Sequence, residues 1–140
     1  MLCKENTKVT QEYKATLQDA LKVLGKKNFA LILQGVSFPA EADENTGFGT
    51  YNSKCAKKLM DFSKGLFSGI QLGPNGKTKF SDPSPYTGTV FSENPLFINL
   101  KDLTTKEYDN LLSTETFEKI VEGNDQKDPF RANYEYAYDA

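Results

Sequence analysis

The chain has 140 residues, of which 38% are hydrophobic and 12% aromatic, enough for one domain or part of one. Its 17 basic and 19 acidic residues leave a net charge of −2 without a basic block, which argues against a nucleic-acid partner. No signal-like core follows Met1 and no apolar run approaches the roughly 20 residues that span a bilayer. We therefore expect a cytoplasmic protein that does not contact a membrane.

Histidine is absent, so any catalysis would have to use carboxylates, tyrosine or lysine. Cys3 and Cys55 are too few for a disulfide framework or a zinc cluster, and we expect two reduced thiols.

In chain order, an apolar stripe at helical spacing predicts a helix over residues 10–24 that stops before Gly25. A continuous apolar run predicts a strand over 28–34 that is covered on both faces, as in a parallel sheet. A small and apolar helical face predicts a helix over 52–64, and a second strand follows over 67–72. This order predicts a right-handed βαβ unit with parallel strands.

Two long loops, the first loop (35–51) and the second loop (73–94), would then leave the carboxyl edge of the sheet, where barrel enzymes carry their sites. Further along, we expect a short extended segment over 95–100. Short helices are predicted after residue 104, at 105–112 behind a capping-box pattern, at 114–122 and again near 133–140.

So small a parallel sheet needs helices on both faces and more strands at its edges. The fold class predicted for residues 1–140 is therefore α/β: a single partial domain that contains the first βα units of a (β/α)8 barrel. An open sheet edge also predicts self-association of the isolated chain.

Two polar segments resemble ion sites only superficially. Residues 41–47 place oxygen ligands at alternate positions, but the glycine and the closing residue do not match a calcium loop, so a solvated turn is favoured. Residues 73–78 lack the glycine spacing of a phosphate loop, and a turn at Pro74 explains them better. We expect neither a metal nor a cofactor.

Aromatic and hydroxyl side chains share the second loop. Phe80, Tyr86 and Phe91 lie among serines and threonines, a combination that suits a sugar-binding surface. Packing within the loop is the commoner use of such side chains and is favoured on these residues alone. The tyrosines near the end of the chain are expected on one helix face: Tyr134, Tyr136 and Tyr138.

Six segments together resemble a known family. They lie at 30–39, 47–49, 59–62, 71–76, 84–86 and 94–100 and read ALILQGVSFP, GFG, LMDF, QLGPNG, SPY and NPLFINL. Their order and approximate spacing are similar to the amino-terminal part of the bacterial 4-alpha-glucanotransferases, the amylomaltases or disproportionating enzymes. The chain departs from that pattern at Gln34 and Gly35, where the family has His-Pro, at Phe80, where a tyrosine is usual, and at the added Pro83.

The resemblance implies a (β/α)8 barrel that transfers segments of alpha-1,4-glucan with retention of configuration. Retention uses a carboxylate nucleophile and a carboxylic acid–base. In the family these lie downstream of the matched region, so we expect no catalytic residue in this chain, which would be inactive alone.

The resemblance also assigns substrate contacts. It places the family's glucan-binding tyrosine at Tyr86, with Ser84 beside it, and a weakened contact at Phe80, which lacks the hydroxyl. The expected partner is an alpha-1,4-glucan or maltooligosaccharide. Two alternatives remain: a non-catalytic carbohydrate-binding or interaction protein derived from that barrel, and a small α/β domain of unrelated function.

Overall fold

A computed structural model describes residues 7–125 and 131–140. It contains helices α1 (Thr7–Val23), α2 (Lys54–Ser63), α3 (Thr114–Gly123) and α4 (Tyr134–Asp139), strands β1 (Ala30–Leu33) and β2 (Gly69–Leu72), and 3-10 turns at Gly35–Ser37, Pro95–Phe97, Asp102–Thr104 and Lys106–Tyr108. The architecture is a small mixed α/β arrangement with two parallel strands and several helices. No described helix is long and apolar enough to cross a membrane.

Helix α1 ends as its sequence predicts. Gly25 adopts φ +63°, the left-handed conformation that glycine tolerates best. The Lys26 N–H donates to the Leu21 carbonyl (2.9 Å) and the Gly25 N–H to the Lys22 carbonyl (3.1 Å). This pair of bonds is the Schellman pattern, which satisfies carbonyls that the last helical turn leaves free.

Strands β1 and β2 pair in parallel, in a register that runs from Ala30 opposite Gly69 to Leu33 opposite Leu72. The parallel pairing is as predicted, but coverage on both faces is not. Burial alternates along both strands, and the Ile32 side chain remains 69% exposed. The face that carries Ile32 is therefore open to solvent. The prediction failed because a continuous apolar run indicates that both faces of a strand can be buried, but it does not indicate which elements lie over them.

Helix α2 begins at a well-formed cap. The Ala56 N–H donates to the Ser53 hydroxyl oxygen (3.0 Å), and that hydroxyl donates to the Pro39 carbonyl (2.7 Å). Cys55 is buried on this helix and is disulfide-bonded, so the prediction of a reduced thiol there is wrong. Two cysteines exclude a multi-bridge framework but still permit one bridge. The corresponding prediction for Cys3 lies outside the described residues.

Residues 95–100 do not form an extended segment. The Asn94 side-chain oxygen accepts from the Leu96 N–H (3.1 Å), and Pro95 begins the 3-10 turn Pro95–Phe97. A side-chain amide that bonds the backbone two residues on favours a turn, and the fixed φ of proline agrees with it.

The helix predicted over 105–112 is also wrong. The Thr105 hydroxyl donates back to the Asp102 carbonyl (2.7 Å) and caps no following helix. One 3-10 turn, Lys106–Tyr108, lies in this region, and Asp109 and Asn110 then adopt φ +54° and +51°. Two successive left-handed residues cannot continue a right-handed helix.

The predicted helices at the end of the chain are present as α3 and α4. The Asn133 N–H donates to the Gly47 carbonyl (2.7 Å) just before α4 begins, so this helix lies against the first loop. Tyr134 and Tyr138 share one side of α4, with ring centroids 5.8 Å apart. Tyr136 donates instead to the Ile120 carbonyl of α3 (2.7 Å), so the three tyrosines do not share one face. Residues 126–130, which connect α3 to the segment before α4, lie outside the described residues.

The buried apolar side chains lie away from the sheet. They come from the first loop, from α2 and its C-terminal turn, and from α3: Phe38, Phe48, Cys55, Ala56, Leu66 and Phe117. The described core is therefore built by loops and helices beside the strands.

Candidate functional site

The first loop is a packed structural unit. Phe38 meets the Tyr51 ring edge-on at 5.3 Å, and Tyr51 stacks on Phe97 at 5.1 Å. A Cβ on Gly35 would lie 2.5 Å from the Tyr51 hydroxyl oxygen, and one on Gly49 would lie 2.5 Å from the Phe38 carbonyl oxygen. Such distances leave no space for a side chain, so both glycines are required by close approach.

The second loop is closed at its base by backbone and side-chain bonds. The Asn94 N–H donates to the Asn75 carbonyl (3.0 Å), and the Thr89 N–H donates to the Lys77 carbonyl (2.9 Å). The Lys77 N–H in turn donates to the Ser92 hydroxyl oxygen (2.9 Å). A long loop whose ends meet in this way holds its own shape.

A chain of hydrogen bonds, buried at Asn94 and Thr78, fixes this base to α4. The Asn94 amide donates to the Thr78 hydroxyl oxygen (3.2 Å), and 2.8 Å separates the Thr78 and Tyr134 hydroxyl oxygens. Tyr134 donates its single proton to the Lys79 carbonyl (2.8 Å) and must therefore accept from Thr78. The bonds run in one direction, from Asn94 through Thr78 and Tyr134 to Lys79. Sequence reasoning missed this chain, because its members lie up to 56 positions apart.

Two side-chain bonds join the loops at the carboxyl edge of the sheet. Gln34, the residue after β1, donates from Nε2 to the Tyr86 hydroxyl oxygen (3.2 Å). Tyr51 donates to the Asn75 side-chain oxygen (2.8 Å). Burial, with a smaller contribution from the Glu93 charge, raises the pKa of Tyr51, which keeps its hydroxyl protonated as a donor. The two loops therefore form one connected rim.

The structure brings two of the three predicted substrate-contact residues into one turn. The Tyr86 side chain is 74% exposed above the strand end. The Ser84 N–H donates to one carboxylate oxygen of Asp82 (3.1 Å), and the Thr87 hydroxyl donates to the other (2.6 Å). The Thr87 hydroxyl and the Ser84 N–H both lower the pKa of Asp82. The turn thus keeps an ionised carboxylate bound to its own donors.

Phe80 belongs to a different cluster. Its ring packs edge-on against Tyr138 of α4, with centroids 5.4 Å apart, although part of the ring remains exposed. The structure therefore packs one edge of Phe80 against α4, and a contact of Phe80 with a substrate stays a prediction.

The returning segment of the second loop, close to its base, carries exposed apolar side chains. Phe91 is fully exposed and adopts φ +59°, and its neighbour Val90 is largely exposed. A left-handed conformation costs a non-glycine residue roughly 1–2 kcal/mol, so the loop imposes this geometry. No sequence signal indicated the strained backbone at Phe91.

The acidic segment 41–47 uses its carboxylates within the protein. Asp43 pairs with Lys54 (2.6 Å) and Lys101 (3.0 Å), and these two cations lower its pKa to about 2. Glu44 is buried and accepts from the Lys54 N–H (2.8 Å) and the Glu41 N–H (3.3 Å). Residues 41–47 form a turn, as the sequence predicts, but the Glu44 side chain is buried and not solvated. Within residues 7–125 and 131–140 no group of potential ligands could hold a metal ion.

Comparison with known proteins gives no relative: no protein-family model matches the chain, and no curated protein and no solved structure matches it either.

Proposed function

We propose that this chain is the amino-terminal part of a 4-alpha-glucanotransferase-like enzyme, and that it supplies glucan contacts without the catalytic carboxylates. The observation that carries the proposal is Tyr86. It combines an exposed aromatic face with a hydroxyl held by Gln34 at the carboxyl edge of β1, within the segment 84–86 on which the resemblance depends.

The chemistry of Tyr86 suits a sugar. A ring face can cover the apolar C–H surface of a glucose unit, while the hydroxyl exchanges hydrogen bonds with sugar hydroxyls. Retaining transfer also needs two carboxyl groups about 5–5.5 Å apart across the scissile bond. We assign no such pair to this chain, so we expect binding without turnover.

The open sheet supports the barrel part of the proposal. Its uncovered face carries Ala30 and Ile32 from β1 and Gly69 and Gln71 from β2, with both outer edges unpaired in the described residues. In a closed parallel barrel such a face would be filled by side chains from further strands.

Titration with a maltooligosaccharide tests the binding claim. We expect maltoheptaose added to the isotope-labelled chain to shift amide resonances of residues 80–95 and of Gln34. Tyr86→Ala should abolish these shifts, because it removes both the ring and the hydroxyl. Tyr13→Ala is the matched control, since Tyr13 is an exposed tyrosine on α1. Unchanged amides over residues 80–95 at millimolar sugar would overturn the proposal.

The same sheet leads us to propose that the isolated chain self-associates. Unpaired parallel edges and an exposed Ile32 favour pairing with a second copy. Sedimentation velocity should show mass increasing with concentration, and Ile32→Lys should reduce the increase. A strictly monomeric chain with a sharply cooperative melt would contradict this expectation.

A cytoplasmic location stays part of the proposal, and the disulfide at Cys55 is the observation against it. Disulfides are rare in cytosolic proteins, because the thiol pool there keeps cysteines reduced. Thiol labelling under denaturing conditions, with and without prior reduction, measures the state of Cys55 in protein taken from cells. Protection before reduction would point to an oxidising compartment.

A non-catalytic carbohydrate-binding protein is the second candidate. The closed base of the second loop and its attachment to α4 favour it, because the candidate site is held by residues of this chain. Sequencing the gene beyond residue 140 separates the two candidates: an enzyme requires further barrel strands with an Asp and a Glu at their ends. The third candidate, a small α/β domain of unrelated function, predicts no sugar-dependent shifts at all.

A further inference from the structure

Gln34 occupies the point where both strand ends and the second loop meet. It follows β1 with an extended backbone (φ −64°, ψ 139°), and its side chain bonds Tyr86, 52 positions away. Within the described residues this is the hydrogen bond that fixes the Tyr86 hydroxyl. The contact therefore determines where that hydroxyl lies relative to the sheet.

Gly73, the residue after β2, makes room for the Gln34 amide. A Cβ at Gly73 would fall on Gln34 Oε1, the nearest atom, and would lie 2.5 Å from Cδ and 2.9 Å from Nε2, closer than real Cβ contacts allow. The amide thus lies directly over the end of β2 and is confined between Gly73 and Tyr86. A side chain held on two sides presents its remaining polar atoms in a fixed direction.

The direction of the bond has a chemical consequence. Because Gln34 donates to the Tyr86 oxygen, the tyrosine proton is free to be donated elsewhere. Among the described residues that proton has no acceptor, and Gln34 keeps a second N–H, while its Oε1 packs against Gly73. The pair offers an O–H donor beside an amide N–H donor, and both can donate to the oxygen atoms of adjacent sugar hydroxyls.

We propose that Gln34 is a positioning residue for glucan binding: it holds Tyr86 so that its hydroxyl donates to a sugar oxygen. This inference rests on the proposed function. The alternative is that the bond between Gln34 and Tyr86 is purely structural and only connects the second loop to the end of β1. The bond between Tyr51 and Asn75 already joins the two loops, so the loops keep a connection when Gln34 is changed.

Four variants of the full chain test the inference by maltoheptaose titration: Gln34→Leu, Gln34→Glu, Tyr86→Phe and the double variant Gln34→Leu with Tyr86→Phe. We expect Gln34→Leu and Tyr86→Phe each to raise Kd about five- to tenfold, the effect of one lost hydrogen bond. The double variant should bind no more weakly than either single variant, because both remove the same sugar contact.

Gln34→Glu distinguishes a residue that positions the Tyr86 hydroxyl for sugar from one with a purely structural role. A carboxylate at this place keeps a bond to Tyr86 but accepts the tyrosine proton, so the donor toward the sugar is lost. We expect Gln34→Glu to bind as weakly as Gln34→Leu. The variant is nearly isosteric and keeps the test available if the leucine variant does not fold, as judged by amide resonances of α2 and α3.

The outcomes distinguish the inference from the function that it rests on. Without sugar binding by the unmodified chain, the proposed function fails and the inference fails with it. Binding that Tyr86→Phe weakens but Gln34→Leu leaves unchanged would overturn the inference alone. Unchanged sugar binding by Gln34→Glu would show that Gln34 has a purely structural role, and this result would also overturn the inference.

Discussion

The first loop and the two-stranded sheet differ in a way that reverses their expected roles. The first loop, which the sequence predicts at the ligand-binding edge, contains Phe38 at 3% exposure. Its Tyr51 stacks on Phe97, and its Glu41 and Glu44 bond Lys58 and the Lys54 N–H of α2. The sheet, which the sequence predicts to be covered on both faces, leaves the Ile32 side chain 69% exposed. Apolar strands do not make a core until other elements cover them, whereas aromatic loops can make one among themselves.

The largest test of this contrast removes one apolar side chain from each region. Phe38→Ala should lower the free energy of unfolding by about 3–5 kcal/mol, because it leaves a cavity in the aromatic cluster. At a concentration low enough to keep the chain monomeric, Ile32→Ala should change it by less than about 0.5 kcal/mol, because the side chain is already in water. Urea unfolding followed by circular dichroism measures both. A loss at Ile32 as large as at Phe38 would mean that the sheet face is covered in solution.

Glycine replacements make the same comparison at the backbone. Gly49→Ala places a Cβ against the carbonyl oxygens of Val36 and Phe38, so we expect a loss of about 1–3 kcal/mol in unfolding free energy. Gly69→Ala in β2 meets nothing within 4 Å and should be neutral or stabilising by up to about 1 kcal/mol. Equal melting temperatures for the two variants would contradict the tight packing of the first loop.

These regions also show what the sequence could predict. Local signals were sufficient for α1 and α2, where Gly25 and Ser53 act within a few residues of the helix ends. The turn at Pro95–Phe97 was also readable, since Asn94 before a proline is a turn signal that the extended prediction ignored. The two left-handed residues at Asp109 and Asn110 carry a weaker signal of the same kind.

The rest depends on partners distant in sequence. The exposure of Ile32 depends on which elements lie over β1, and no local pattern reports that. The bond between Gln34 and Tyr86 and the chain through Thr78 and Tyr134 each join residues more than 50 positions apart. Of the candidate site, Tyr86 and Ser84 were identified from their segment, and their geometry required the structure.

The polar chain that holds the second loop gives a smaller test. Tyr134→Phe removes a hydroxyl that accepts from Thr78 and donates to the Lys79 carbonyl, so we expect a loss of about 1–3 kcal/mol in unfolding free energy. Tyr138→Phe is the matched control on the same helix, because within the described residues its hydroxyl has no hydrogen-bond partner. Faster amide exchange over 78–94 in Tyr134→Phe, with Tyr138→Phe unchanged, would tie the effect to the loop.

The ion pairs of Asp43 should give the smallest change in unfolding free energy. Because this contribution depends on pH, it can be distinguished from a contribution of packing. Its pKa of about 2 in the folded chain lies below the ordinary value of 3.8, so its stabilisation is complete above pH 4 and is lost as pH falls through 2. Both pairs are exposed to solvent, which limits the contribution to less than about 1 kcal/mol.

Asp43→Asn should therefore be slightly less stable at pH 7 and match the unmodified chain near pH 2. Asp19→Asn, which removes one exposed pair with Lys22, should match it at both pH values, because an isolated exposed pair contributes almost nothing. A difference between Asp43→Asn and the unmodified chain that persists at pH 2 would mean that Asp43 stabilises the turn by its shape and not by its charge.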